Sequence, residues 1–527
     1  MTSEKKIVSA ELFDTTSRDG TQTPRITSWT IEQHVAHAIS CEMAGVKKIE
    51  GGFAHSSQNI RDQLRAIADG TKEAKIYSLA MATKESIDHA YDCLKHIGKR
   101  GAIHTFYATS PDHREFKYNG VSESEAIAKI YHAVKYASEK FETVMFSPED
   151  ATNTPIKYLI QVINVVKNAG GKIINIPDTL GCADPDEIKY MMSTLTKRFP
   201  DLQFSFHGHN DLGLANANSL AAVRANESEH PMIIQGTFGG IGERAGNTAL
   251  EEFAIACRKK NIPIAFQTES ITDIVTTVFD NSGLLIPINK PLVGANAYAH
   301  GSGIHAAAVK KNSKLYNAVP PELIGAKPVE TILCEQSGGG ILFPKMAELG
   351  IEVDESSKER IFEEFKIMAI GRPQVYSNEL FLLTSEKEYR SSINPRETKL
   401  IINEGNVLGE IEIIDPQGNS VKESVNAKGS IKAGCIAINK IRGINFDINP
   451  DQFNIQSEGS GDNQNAVVYI EICVDGILVS GYAKHYDTIF ASLNAYLECV
   501  DKIIAIKQIK NPNVENEDKR QHINASF

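Results

Sequence analysis

The first half of the chain repeats one pattern eight times, a short β-rich run followed by a longer helical stretch. The runs are Val8 to Thr15, Lys48 to Phe53, Ile76 to Ala80, Ile103 to Thr109, Thr143 to Ser147, Lys172 to Asp178, Gln203 to His209 and Met232 to Thr237. The helical stretches between them include Ser28 to Ala44, Ser122 to Ser138, Thr154 to Ala169 and Pro185 to Lys197. Ser28, Ser122 and Thr154 are the expected N-caps, and Gly45 and Gly170 the expected C-terminal stops. Strands that alternate with helices call for a parallel sheet, because each return to the same edge needs a crossover. Eight such units within about 260 residues match the size of a closed (β/α)8 TIM barrel. An open doubly wound sheet is the alternative, but no glycine-rich dinucleotide turn follows the first strand.

A barrel of this kind keeps its chemistry where the strands end. Arg18 and Asp19 follow the first run, Glu50 lies in the second, and His104 in the fourth. Ser147 closes the fifth run with Glu149 just beyond it, and Asp178 closes the sixth with Thr179 next. In the seventh, Phe204 and Phe206 alternate with Ser205 and His207, so His207 and His209 share a face as two potential ligands of one metal ion. Gly239 to Asn247 follow the eighth run. Asp19, His207, His209 and the amide oxygen of Asn247 make a mixed nitrogen and oxygen set without thiolate, suited to Mg, Mn, Co or Zn. A divalent ion with open positions can hold a 2-oxo acid and polarise its keto group. Arg18 could stabilise the resulting alkoxide, with Glu50 orienting Arg18 through an ion pair.

The net charge of -11 argues against nucleic acid or a membrane surface as partner. No apolar run approaches the roughly 20 residues of a membrane helix, and no signal-peptide core follows Met1. The eight cysteines are scattered without a C-x-x-C pair, so a reduced, cytoplasmic setting is expected, with Cys182 the one pocket candidate. From about Lys290 the alternation stops. Arg396 to Gly443 and Ala466 to Lys502 each read as strands followed by a helix, an internal duplication. The expected division is a barrel over 1–285, a linker with helical subdomains over 286–390, a duplicated α+β domain over 391–510 and a polar tail over 511–527.

Six motifs then carry a resemblance. They are Asp14-Thr15-Thr16-Ser17-Arg18-Asp19-Gly20-Thr21-Gln22, Ile49-Glu50-Gly51-Gly52-Phe53, Phe146-Ser147-Pro148-Glu149-Asp150-Ala151, Ile176-Pro177-Asp178-Thr179-Leu180-Gly181, His207-Gly208-His209-Asn210-Asp211-Leu212-Gly213 and Gly240-Ile241-Gly242-Glu243-Arg244-Ala245-Gly246-Asn247. In this order they resemble the motif series of the 2-isopropylmalate synthase family of metal-dependent, Claisen-condensing barrels. Citramalate and homocitrate synthases and, more distantly, the hydroxymethylglutaryl-CoA lyase type belong to the same group.

The resemblance implies that Asp19, His207, His209 and Asn247 hold the metal, and that Arg18, with Glu50, polarises the keto oxygen. It implies that Thr179 binds the substrate carboxylate and that Glu149 lies near the acetyl-CoA end. Leu79, His104 and Ser147 correspond to the pocket that selects the 2-oxo acid, and their size favours 2-oxoisovalerate over pyruvate. His305 and Tyr316 match the segment that supplies the base. The implied reaction joins acetyl-CoA to the 2-oxo acid and releases CoA.

Gly481 to Leu497 and Ala427 to Ala433 resemble the two repeats of a leucine-binding regulatory domain, which implies feedback by leucine and a homodimer. Several positions depart from the family pattern: Thr21, Asn153, Cys182, Gly301, and Ala306-Ala307 after His305. They bear on the acyl-CoA half of the reaction, on its rate and on the choice of 2-oxo acid, and leave the metal set intact. Three alternatives stay open: condensation onto pyruvate or 2-oxoglutarate, a leucine-binding regulatory protein without turnover, and a lyase running the reverse cleavage.

Overall fold

The computed structural model describes residues 8–300, 308–309, 312–326, 332–385, 391–393, 398–403, 406–415, 417–444, 452–459 and 464–510. Gly301, His305, Ala306, Ala307 and the 511–527 tail lie outside the described residues. The chain divides into two compact units, Met1–Tyr298 with Val319–Pro328, and Ala299–Ala318 with Val329–Phe527. Among the described residues no helix is long and apolar enough to cross a membrane.

The first unit is a closed barrel of eight strands in sequence order. They are β1 (Ala10–Asp14), β2 (Lys48–Phe53), β3 (Lys75–Met81), β4 (Gly101–Ala108), β5 (Val144–Glu149), β6 (Ile173–Asp178), β7 (Gln203–Gly208) and β8 (Met232–Gly236). All pairings are parallel, and β1 pairs with both β2 and β8, which rules out an open sheet. The crossovers are α1 (Ile31–Met43), α2 (Gln58–Gly70), α3 (Lys84–Leu94), α4 (Glu123–Lys140), α5 (Ile156–Asn168), α6 (Pro185–Arg198), α7 (Ala215–Arg224) and α8 (Leu250–Lys259), with α9 (Ile271–Ser282) after them.

The strands are apolar on both faces because helices cover the outside and side chains fill the inside. Phe13, Tyr77, Ala102, Met145, Ile173 and Ile233 form the inner layer. Phe204 and Phe206 belong to the larger core under the helices. Side chains alternate along a strand, so Ser205 and His207 of β7 face the lumen.

Two expected caps move. Helix α1 is capped by Thr30 rather than Ser28, in a reciprocal box with Gln33. Helix α5 starts after Pro155 without a side-chain cap. The Thr154 hydroxyl is spent instead on Thr109 Oγ1 (2.8 Å) and the Asp150 carbonyl (2.9 Å). Ser122 caps α4 as expected, and Gly45 and Gly170, both at φ +100°, end α1 and α5.

In the second unit α10 (Gly339–Glu348) and α11 (Lys358–Ala369) are followed by a 3-10 stretch, Ser377–Thr384. The short β9 (Ser392–Ile393) precedes β10 (Lys399–Asn403), β11 (Asn406–Ile414), β12 (Ser420–Lys428) and α12 (Ser430–Ile441). The pattern returns as β13 (Gln452–Glu458), β14 (Asn465–Val474), β15 (Ile477–His485) and α13 (Thr488–Lys510). Each copy is an antiparallel meander followed by a helix. The sequence reading has two strands per copy; β12 and β13 are the additions. Both are polar and largely exposed, so neither offers an apolar run to read.

The core of this unit holds an ion cluster. Lys502 Nζ donates to Glu379 and, at 2.6 Å, to the Ser480 carbonyl, with Lys502 and Glu379 fully buried. Arg372 lies 3.5 Å from Glu379 and also meets Glu498. Close approach of α13 to β15 depends on Gly481, where an added Cβ would fall 1.9 Å from the Ala495 carbonyl. Gly481→Ala is therefore expected to destabilise the chain by about 1–3 kcal/mol in chemical denaturation followed by circular dichroism. Gly340→Ala in the first turn of α10 meets nothing within 4 Å and is expected to be neutral.

Candidate active site

At the C-terminal end of the strands the lumen opens into a cavity of about 200 Å3. Its walls are Arg18 and Asp19 after β1, Leu79 of β3, His104 of β4, Ser147 and Glu149 of β5, Thr179 after β6, and His207 and His209 at the end of β7. Glu50 of β2 lies fully buried against Arg18, and Asn247 is bridged to His209 through the backbone.

The turn after β1 is tight. The backbone amides of Arg18, Asp19 and Gly20 all donate to the Thr15 carbonyl, at 3.1, 2.8 and 3.2 Å. This aims Asp19 inward, where its Oδ2 lies 3.3 Å from His207 Nε2 and 3.3 Å from Arg18 Nη1. The Nε2 atoms of His207 and His209 face each other at 3.3 Å. The ligand atoms of Asp19, His207 and His209 all lie within 4.8 Å of one another. Burial opposes ionisation of Asp19, but Arg18, His207 and His209 hold its carboxyl far below the usual range. Burial, then the adjacent His207, pushes the His209 imidazole down to about 4, so it stays free to offer a lone pair at neutral pH.

Two oxygens here lack a hydrogen-bond partner although buried, Asp19 Oδ2 and Asn247 Oδ1. The Asn247 amide nitrogen donates to the Ile241 carbonyl at 3.1 Å, which turns its oxygen the other way. The loop that carries Asn247 is crowded: a Cβ on Gly246 would sit 2.0 Å from the Gly240 carbonyl, and Gly246 has φ +89°. Facing imidazole nitrogens and orphaned oxygens fit a divalent cation. A second cluster, Asp14, His37 and Cys41, contrasts with it. There one Asp14 oxygen accepts from the Thr16 amide and hydroxyl, and the other meets His37 Nε2 at 3.0 Å. Burial, then Asp14, drives the Cys41 thiol well above its ordinary range. That cluster is closed by its own hydrogen bonds and braces the turn from below.

A chain of polar contacts runs from the cation set across the cavity floor. Arg18 Nε donates to Glu50 Oε2 at 2.5 Å, and Glu50 Oε1 meets His104 Nδ1 at 2.7 Å. His104 Nε2 lies 2.6 Å from Ser147 Oγ, which accepts from Asn175 Nδ2 at 2.8 Å. A carboxylate can only accept, so a single ring proton on His104 sits on Nδ1. Burial works against the Glu50 charge, yet Arg18 and His104 bring its carboxyl down to about 2. Asn175 and Gln235 complete the floor, each with a buried amide oxygen that has no partner. The sequence reading missed both. The available signal is a lone amide inside an apolar strand, as in Ile173-Ile174-Asn175-Ile176.

The other rim residues differ in role. Thr179 Oγ1 accepts from the Asp150 amide at 3.0 Å, leaving its hydroxyl hydrogen for another acceptor. Glu149 is paired with Lys117 Nζ at 2.7 Å. Asp178 is turned away, accepting from Thr152, Cys182 and Ala183, so it shapes the loop. Cys182 is exposed and does not line the cavity. Tyr316 belongs to the second unit, its ring centroid 6.2 Å from that of His300.

Residues 9–278 match the HMGL-like family, the class that this barrel and its Asp-His-His set define. Residues 292–373 match the homocitrate synthase post-HMGL domain-like family, and 375–504 the LeuA allosteric (dimerisation) domain. The chain is 34% identical over 504 residues to the 2-isopropylmalate synthase of Brevibacillus brevis, covering 94% of this chain and 97% of that protein. It is 35% identical over 508 residues to that of Listeria monocytogenes, covering 93% and 96%. The chain belongs to the 2-isopropylmalate synthase family.

Behind the β1 turn, His34 Nδ1 lies 3.0 Å from the hydroxyl of Ser17. Burial, then the charge of His37, lowers the His34 imidazole from 6.5 to about 4. The unfolded chain takes up this proton first, so the stability involved is complete above 6.5 and declines as the pH falls toward 4. His34→Asn is expected to reduce proton uptake on unfolding in that window by about one, read from the slope of stability against pH.

Proposed function

We propose that the chain condenses acetyl-CoA with 2-oxoisovalerate to give 2-isopropylmalate and CoA, the first committed step of leucine biosynthesis. The observation that carries this reading is the cavity itself. A set suited to a cation stands on one side, and a wall of Leu79, His104 and Ser147 on the other. Its volume of about 200 Å3 falls below the roughly 300 Å3 of ordinary ligand pockets and suits a five-carbon acid. Acetyl-CoA then lies across the rim, beside Glu149.

Asp19, His207, His209 and Asn247 would hold the ion, with Mn, Mg, Zn or Co the candidates. Bound there, a divalent cation supplies Lewis-acid polarisation of the keto group. Arg18, pinned by Glu50, donates to the keto oxygen as negative charge develops on it. The Thr179 hydroxyl donates to the substrate carboxylate. The base, with His305 and Tyr316 as its candidates, removes a methyl proton from acetyl-CoA. The carbanion attacks the keto carbon, and water then cleaves the thioester to release CoA.

Small Ser147, held by Asn175 and His104, leaves space for the branched end of 2-oxoisovalerate. 2-Oxoglutarate would need a further cation, and Arg18 and Arg244 in the lining are already engaged, Arg244 by Asp211 at 2.8 Å. The C-terminal repeats serve as the seat of leucine feedback and of a homodimer. Eight free cysteines suit a cytoplasmic setting.

A thiol-release assay tests the reading. CoA release is expected with acetyl-CoA, a divalent metal and 2-oxoisovalerate together, to be lost on chelation, and to fall when leucine is added. No release with 2-oxoisovalerate, pyruvate or 2-oxoglutarate would overturn it, and leucine binding without turnover would point to a sensor. Asp19→Asn is expected to lose metal in equilibrium dialysis. Ser147→Leu is expected to lower kcat/KM for 2-oxoisovalerate relative to pyruvate by about 10–100-fold.

A further inference from the structure

The opposite end of the barrel carries a feature that the proposed reaction does not use. Strands β2 and β3 begin with Lys48 and Lys75, and Lys172 immediately precedes β6. Together with Thr143, Gln203 and Tyr77 they line a cavity of about 670 Å3 at the N-terminal mouth. The chain as a whole is acidic, with a net charge of -11, yet cations gather here.

The local acids do not balance them. Lys48 donates to Glu11, and Lys167, also in the lining, pairs with Asp201 at 2.7 Å. Among the described residues the ammonium of half-buried Lys75 donates only to the Thr143 hydroxyl, at 2.8 Å. Among the described residues the Lys172 ammonium, as distinct from its backbone, has no hydrogen bond or ion pair. Burial depresses the Lys75 ammonium, and Lys48 and Lys172 depress it further against the pull of Glu142. Lys48 and Lys172 therefore crowd the Lys75 ammonium with like charge, which an anion relieves.

A second observation is independent of charge. The Tyr77 hydroxyl is buried beneath this cavity with no hydrogen-bond partner, although the ring is fixed edge-on against Phe13 at 4.7 Å. A buried hydroxyl without a partner is rare and costly unless something completes it. Ammonium groups and hydroxyls together offer donors in excess of acceptors, the complement of a phosphate group.

We propose that the N-terminal mouth of the barrel is a binding site for a phosphate dianion, free or as a small phosphate monoester, held by Lys75 and Lys172 with Tyr77 and Thr143 beneath. The site lies at the end of the strands where barrels carry structure rather than chemistry, so it acts on stability and not on the reacting atoms.

Titration calorimetry of the full chain at constant ionic strength tests it, with inorganic phosphate and glycerol 3-phosphate as probes and chloride as the control. One equivalent per chain is expected, with a matching rise in melting temperature. Lys172→Met, an exposed change that leaves the fold intact, and Lys75→Met are each expected to weaken binding about tenfold, the loss of one charge-assisted contact. Tyr77→Phe keeps the packing and is expected to weaken it a few-fold. His207→Ala, at the other mouth, is expected to leave it unchanged. Tighter binding of the monoester identifies an ester as ligand, and tighter binding of inorganic phosphate the free ion; either supports the site. Affinity unaltered by Lys75→Met and Lys172→Met, or lost in His207→Ala, overturns the proposal.

Discussion

The seam between β1 and β8 is the contact on which the catalytic end of the molecule depends. Five residue pairs, from Ala10 with Met232 to Asp14 with Gly236, join the first strand to the last. Beyond the strands, the Thr15 hydroxyl donates to the Gly236 carbonyl at 2.9 Å, and the Phe238 amide to Thr16 Oγ1 at 3.0 Å. Without this closure Asp19 would sit at a free edge, far in sequence from His207, His209 and Asn247. Closing the sheet also fixes the direction in which each strand end points, because side chains alternate and a slip of one residue would exchange lumen for exterior.

Inside that frame the electrostatics are arranged by pairing rather than by exposure. Asp19, Glu50 and Arg18 are all withdrawn from water, yet the Arg18 guanidinium between the two acids favours the charged form of each, as they favour its own. Removing one member would leave an uncompensated buried charge, a loss of about 3–5 kcal/mol. The same strictness separates the two acid–histidine clusters of the barrel. Around Asp14 every oxygen is hydrogen-bonded from within, while Asp19 Oδ2 has ion pairs at 3.3 Å but no hydrogen bond, and Asn247 Oδ1 has no hydrogen-bond partner.

Much of this is legible in the sequence because strand ends advertise themselves. His207 and His209 follow the period of two, and Arg18, Asp19 and Thr179 stand where apolar runs stop. Asn175 and Gln235 escape because they sit inside strands whose other residues are apolar, where an amide looks like an interruption rather than a floor. The additional strand of each C-terminal repeat escapes for the opposite reason: Ser420–Lys428 is mostly polar and exposed, with Val425 its one buried residue, and is paired along its length to β11. Thr30 takes the cap expected of Ser28 because only from Thr30 does Gln33 stand three residues on and complete the reciprocal bond. Where the second unit is concerned, sequence indicates duplication, but pairings between residues more than a hundred positions apart, such as Glu379 with Lys502, leave no local trace.

That last pairing limits how the chain can be recombined. Arg372 and Glu379 lie ahead of the first repeat strand, while Glu498 and Lys502 lie on the final helix. A crossover drawn between Glu379 and β9, at the apparent border of the repeats, would bring α13 with its basic Lys502 into a foreign core lacking the matching acid. The repeats therefore travel as a transplantable cassette only when the segment from Arg372 onward travels with them.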